Sequence, residues 1–295
     1  MFRPKTLYRI VLLVVLTGFT FGCSDSDLKL VIQNKGSDSI LIVAQAWAEA
    51  YQEHDDTVMV AVSGGGSGAG FNALINELAD IANASRAITP VESAHLEESG
   101  RAPVQHIVGY DALAVYVHKD NPVDSLSLSR LADIYGENGP ATKWSDLGIT
   151  VPGCSDQEII LVGRQNNSGS YAYFKQAIMG KEQEYRLGTL DLYVSKDVIE
   201  LIRNSPCAIG YGGMAYATKN VKMVCIASDG STPCVSPSVS AATDGSYPIS
   251  RPLFMYSTSG AEQPVQDYLE WVLSESGQCI LHDKGYAPVS AIKCS

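Results

Sequence analysis

The sequence predicts an α/β fold of two lobes, with strands alternating with helices and most strand pairs parallel. Three observations predict it. First, a strand-like apolar run, a Gly/Ser-rich turn and an apolar helical stripe follow one another twice near the start of the chain and again near its middle. Parallel strands need a long crossover, which a helix supplies, so this alternation reads as parallel sheet. Second, two more strand-like segments, residues 112–118 and 249–256, lie far apart in sequence. Each can carry the chain between lobes, which leaves the first lobe discontinuous. Third, 295 residues allow two domains at about 150 residues each.

The elements follow in order. Residues 28–33 form a first strand, broken at Asn34-Lys35-Gly36-Ser37-Asp38. Ile40, Val43, Ala44, Trp47 and Tyr51 then recur at helical spacing, with Ser37, Asp38 or Ser39 as the cap. Residues 58–62 are a β-branched strand, Ser63-Gly64-Gly65-Gly66-Ser67-Gly68 a turn, and Phe71, Leu74, Ile75 and Leu78 a helix face. A third strand at residues 80–84 runs into Ser85-Arg86. Residues 159–162 are a strand, Arg164-Gln165-Asn166-Asn167-Ser168-Gly169-Ser170 a turn, and Tyr171, Phe174 and Ile178 a helix face ending at Gly180. Val198, Leu201 and Ile202 mark a helix, residues 207–211 a strand, and Val265, Tyr268, Leu269 and Val272 a late helix. Residues 228–246, rich in Ser, Thr, Gly and Pro, read as a long surface loop.

A composition 45% hydrophobic and 18% charged excludes disorder and a polytopic membrane protein. The net charge of −11 has the wrong sign for a generic nucleic-acid binder. The first 22 residues stand apart. Arg3, Lys5 and Arg9 form a basic leader, and residues 10–21 an apolar stretch too short to span a bilayer comfortably. Gly22-Cys23 and a polar run follow. This resembles a bacterial lipoprotein signal, cleaved before Cys23 with lipid on its sulfur; Thr20 stands where Leu is usual. Loss of the leader takes the net charge to −14.

Six cysteines remain beyond Cys23, and an even number in an exported chain reads as three disulfides. Six cysteines allow 15 connectivities. Proximity favours Cys225–Cys234 and Cys279–Cys294, leaving Cys154–Cys207. No CxxC or HExxH occurs, so neither metals nor cofactors are expected. There is no GxSxG. Two SxxK matches, at Ser26 and Ser290, open no credible helix. Gly64 to Ala69 fits GxGxxA, a weak dinucleotide signal inside a glycine run.

What does stand out is the repeated strand–turn–helix. A helix N-terminus exposes about four unpaired N–H groups and roughly half a positive charge. Glycines let the backbone approach a ligand, and serines add neutral hydroxyl donors. Several such turns in one chain, one carrying Arg164, point to binding of a small anion.

The segments Gly36-Ser37-Asp38-Ser39, Ser63 to Gly68, Ile81 to Arg86 and Arg164 to Ser170 occur in the order expected of the phosphate-binding protein of the high-affinity phosphate ABC transporter. Gly109 to Val115, Asn121-Pro122, Trp144 to Gly148 and Gly285 to Val289 fit too. The chain resembles that family over nearly its whole mature length. The resemblance implies a type II periplasmic-binding-protein fold: mixed sheets flanked by helices, two lobes joined by two crossing strands, and a ligand in the cleft. It implies lobes of residues 23–114 plus 254–295 and residues 115–253. It also implies phosphate contacts from Ser37, Asp38, Ser39, Ser67, Ser85, Arg86, Arg164, Ser168, Gly169 and Ser170. Arg164 is the expected bidentate clamp.

Two positions depart from the family. Arg86 and Asn166 stand where members carry Asp. Asp38 then becomes the nearest acceptor for the proton of HPO4, or merely a helix cap, with Asp111 next. Arg86 is either a ligand contact or a surface residue. The expected protein is a lipid-anchored, periplasmic or cell-surface monomer. It delivers inorganic phosphate to ABC permease subunits and does no chemistry. A binder or sensor of another tetrahedral oxyanion, or a secreted phosphatase, is the alternative.

Overall fold

The computed structural model describes residues 29–180 and 182–294. The chain opens with β1 (Leu30–Gly36), α1 (Leu41–His54), β2 (Val58–Ser63), α2 (Ser67–Ile75), β3 (Ile81–Ala84) and α3 (Pro90–Glu98). Next come β4 (Pro103–His118), β5 (Ser125–Ser127), α4 (Leu128–Tyr135), β6 (Ile160–Arg164), α5 (Gly169–Met179), β7 (Leu190–Leu192), α6 (Ser195–Asn204) and β8 (Ala208–Gly213). β9 (Val221–Met223), β10 (Cys225–Ala227), α7 (Val239–Thr243), β11 (Ser250–Thr258), α8 (Gln263–Leu273) and α9 (Glu275–Asp283) follow.

Strand order is β2-β1-β3-β11-β4-β8-β6-β7, with β9 added on β4. The outer pairs β1/β2, β1/β3, β6/β7 and β6/β8 are parallel, as βαβ crossovers require. β11 runs antiparallel to β3 and β4, and β4 antiparallel to β8. The 16-residue β4 pairs with β11 up to Ala112 and with β8 from Leu113 onward. One strand therefore starts in the first lobe's sheet and ends in the second's. Its neighbour β11 shifts register between Leu253 and Phe254. The expected two-lobed α/β architecture with mixed, helix-flanked sheets is the one adopted.

Apolar burial follows the same division. Trp47 and Tyr51 of α1 pack with Tyr268 and Val272 of α8 against β1 and Leu253. Phe71 of α2 packs against Tyr256. On the far side, Phe174 stacks on Tyr211 at 3.9 Å and meets Tyr135 edge-on. Each fully buried large apolar side chain contributes roughly 1.5–3 kcal/mol.

Several elements differ from expectation. β1 continues through Asn34-Lys35-Gly36, residues read as a breaker. It is flanked on both sides, with Asn34 paired to Val62 and Ile81, so two ladders override local turn chemistry. α1 has Ile40 at its cap position and no side-chain cap hydrogen bond, because Asp38 and its serines are engaged elsewhere. Leu78 lies beyond α2 and is exposed. The loop at 228–246 contains α7, capped by Ser238. Short β5, β7, β9 and β10 have too few residues for a legible period.

The disulfides are Cys225–Cys234 and Cys279–Cys294, the pairs favoured by proximity, and Cys154–Cys207, the pair left over. Among the described residues no helix is long and apolar enough to cross a membrane. The leader and Cys23 lie outside the described residues.

Candidate functional site

Four turns meet where the two sheets face each other. The first follows β1. Gly36 has φ +146°, and a Cβ there would sit 2.1 Å from the Asn83 carbonyl oxygen, so only glycine lets β1 and β3 turn together. Beyond it Ser37, Asp38 and Ser39 are all buried. The Ser37 hydroxyl donates to Ser85 Oγ at 2.9 Å. Ser67, the first residue of α2, accepts from the Ser85 amide at 3.1 Å, and the Ser67 and Ser85 hydroxyls lie 3.4 Å apart.

The fourth turn comes from the opposite lobe. Ser168 caps α5, its Oγ accepting from the Ser170 amide at 3.2 Å. The hydroxyls of Ser170 and Ser39 are hydrogen-bonded at 3.0 Å across the lobes. A Cβ on Gly169 would lie 2.4 Å from both Ser67 Oγ and Ser85 Oγ. Gly169 therefore lets the start of α5 approach the first lobe's hydroxyls. Asn167 fastens the same contact: its carbonyl accepts from Gly68 N–H at 3.0 Å, and its Nδ2 donates to the Gly65 carbonyl at 3.1 Å. The N-termini of α2 and α5 thus converge on one buried cluster of hydroxyls.

Arg164 is buried but does not have the free fork expected of a clamp. Nη2 donates to Asp38 Oδ2 at 2.9 Å and to the Tyr193 carbonyl at 2.7 Å. Nη1 donates to Ser195 Oγ at 2.7 Å, and Nε to the Leu192 carbonyl at 3.3 Å. Asp38 Oδ1 accepts from Gly65 N–H at 3.1 Å. Both Asp38 oxygens are thus engaged, and its side chain forms an ion pair between the lobes rather than a helix cap.

The cation beside the hydroxyls is Arg251, which the sequence reading missed. It sits on β11 and is 1% exposed. Nη2 donates to Ser39 Oγ at 3.0 Å and to Asp111 Oδ2 at 2.9 Å, and Nη1 to the Ser85 carbonyl at 3.4 Å. Burial pushes the Asp111 carboxyl up, against the opposing pull of Arg251. Asp111 Oδ1 is buried and makes no close hydrogen bond, although the Met214 backbone N–H lies near enough to pull the carboxyl down along with Arg251. A signal was present: Arg251 and Asp111 are charges set in apolar strand runs, where an unpaired charge is costly.

Arg86 lies outside the hydroxyl cluster. It forms a two-pronged ion pair with Glu92 at 2.6 and 2.8 Å, and its guanidinium lies 4.9 Å from the Phe71 ring centroid. Burial pushes the Glu92 carboxyl up, but hydrogen bonds from Arg86 and Thr89 outweigh it and hold it below its usual range.

Two lobes joined by neighbouring strands, with helix N-termini and hydroxyls converging between them, define the class of proteins that bind a small polar ligand between two lobes. The PBP superfamily domain matches residues 24–276, and the chain belongs to this superfamily and, within it, to the PstS-like proteins. It is 31% identical over 271 residues to the phosphate-binding protein PstS of Pseudomonas aeruginosa, covering 88% of this chain and 83% of that one. A substrate-binding protein of Clostridium perfringens with bound phosphate superposes with a TM-score of 0.78 at 26% identity, covering 88% of this chain and 100% of that one. An ABC-type phosphate transport receptor of Vibrio cholerae gives 0.68 at 26% identity, covering 87% and 99%.

Proposed function

We propose that this chain binds inorganic phosphate between its lobes and hands it to an ABC-type permease. The observation that carries the reading is the buried hydroxyl cluster built from both lobes at two helix N-termini. Neutral hydroxyls and amides are the donors a phosphate dianion needs, and the helix ends favour negative charge. Asp38–Arg164 and Asp111–Arg251 balance each other, so oriented dipoles supply most of the attraction. The ligand set is Ser37, Ser39, Ser67, Ser85, Ser168, Gly169 and Ser170, with Arg251 as the nearest cation. Asp38 and Arg164 hold the lobes together behind it. The lobes are residues 23–114 with 254–295 and residues 115–253. The protein binds without turnover, as a monomer, on the periplasmic or cell-surface side, held by lipid at Cys23. The names of its relatives support the phosphate-binding and transport part of this reading.

Phosphate near neutral pH keeps a proton that sulfate lacks, so selectivity needs an acceptor. Asp111 Oδ1, buried and without a close hydrogen bond, fills that role. The test is calorimetric titration with phosphate, arsenate, sulfate and molybdate. The wild-type chain should prefer phosphate; no heat with phosphate defeats the reading. Asp111→Asn should weaken phosphate and admit sulfate. Asp38→Asn should lower stability and leave the phosphate-to-sulfate ratio unchanged. Equal ratios in all three proteins would reject Asp111 as the acceptor.

Gly169→Ala should weaken phosphate by at least about tenfold, ~1.4 kcal/mol, because its methyl strikes hydroxyls of the facing lobe. Alanine favours helix, so the melting temperature should not fall much. Affinity within about twofold of wild type would mean the lobes close without that contact.

A further inference from the structure

A recess of about 350 Å³ lies beside the hydroxyl cluster. Ser85 and Arg251 line both the recess and the cluster. Its walls are otherwise mostly apolar: Ala87 and Phe254 from the first lobe, Ala172 and the Tyr173 ring from α5. The Arg251 guanidinium lies 5.9 Å from the Tyr173 ring centroid, so the cation stands where recess and cluster join. Arg86 borders the recess, but Glu92 neutralises it. Arg251 is likewise paired with Asp111. The space is therefore apolar, close to uncharged and aromatic-walled, and it begins at an anion site.

We propose that the site also takes monosubstituted phosphates and phosphonates, with the phosphoryl group on the serines and a small uncharged organic substituent in this recess. The inference rests on the phosphate reading above and extends it. Charge complementarity selects the class. The donors of the cluster hold the phosphoryl oxygens, whereas a cationic or anionic substituent would meet no unpaired charge in the recess. A phosphate monoester has a second pKa of about 6, so like phosphate it offers a singly protonated form. That form presents acceptor oxygens to the hydroxyls and a proton to the acceptor at Asp111. The volume falls within the range of about 300–1,000 Å³ common for small-molecule sites. A ring between Tyr173 and Phe254 would replace water with apolar contact.

The probes are inorganic phosphate and phenylphosphonate, titrated separately and in competition by calorimetry. Phenylphosphonate should bind and displace phosphate. Ala172→Trp and Ala87→Trp fill the recess from opposite lobes, and Ala87 is exposed on the surface. Each should weaken phenylphosphonate at least about tenfold and leave phosphate within about threefold. Thermal melts confirm that the variants are folded, and the exposed Ala87 site keeps the test valid if Ala172→Trp misfolds. If phosphate binds and millimolar phenylphosphonate does not compete, the recess proposal is overturned and the phosphate reading stands. If Ala87→Trp weakens both ligands alike, the recess is not a substituent site and the proposal fails. If phenylphosphonate binds and phosphate does not, the phosphate reading falls and takes with it the proposal that the site accepts both. Binding of neither overturns both.

Discussion

Arg251→Ala should reduce phosphate affinity by at least about 100-fold, ~2.7 kcal/mol, and should also destabilise the fold. Arg251 is the one side chain that joins Ser39 of the hydroxyl cluster to Asp111 between the two crossing strands. A hydrogen bond to a charged group contributes about 1.5–3 kcal/mol. Truncation removes this contact and leaves Asp111 buried without its partner. Breaking one side of a buried ion pair costs about 3–5 kcal/mol. Burial already pushes the Asp111 carboxyl up, so in the variant it should take up a proton and recover part of that loss. The double variant Arg251→Ala with Asp111→Asn separates the two effects. Urea unfolding should show stability partly restored, while calorimetry should show binding still lost. Binding restored along with stability would mean that Arg251 acts only as a scaffold.

The Asp38–Arg164 pair makes a different prediction. Arg164→Ala should weaken phosphate strongly, again by at least about 100-fold, although four of its five N–H donors go to protein atoms. Asp38 follows β1 and Arg164 ends β6, so their 2.9 Å ion pair spans the lobes. Loss of either partner leaves a buried group unsatisfied whenever the lobes close. The measurement is a double-mutant cycle in phosphate affinity over Arg164→Ala, Asp38→Asn and their combination. The combination should bind better than Arg164→Ala alone, with a coupling of about 1.5–3 kcal/mol. Additive losses would show that Arg164 reaches the ligand by itself and would restore the clamp expected from the sequence.

The fold was legible because its central strands and helices carry clear periods. α1, α5 and α8 each present apolar residues at helical spacing, and their glycine and serine punctuation lies where the chain turns. The four turns were found for the same reason. The roles within them were less legible. Arg164 has the residue type of a clamp, and only the positions of Leu192, Tyr193, Ser195 and Asp38 reveal that four of its five N–H donors are engaged by protein atoms. Those partners lie 126 residues upstream and about 30 downstream, so no local pattern couples them. Arg251 lay inside a strand read only for its apolar residues. β4 was read as seven residues because its first half alternates weakly, and its full length depends on pairing with β11 across more than a hundred residues of chain.

The disulfide map has a consequence for how the chain matures. The six described cysteines pair consecutively along the sequence: 154 with 207, 225 with 234, 279 with 294. No bridge encloses or interleaves with another. A chain that enters an oxidising compartment N-terminus first presents these thiols one at a time. An oxidase that joins each newly arrived thiol to the waiting one makes every native bridge without error. Reshuffling enzymes have nothing to correct in such an order, so a strong oxidant alone is enough to finish the protein.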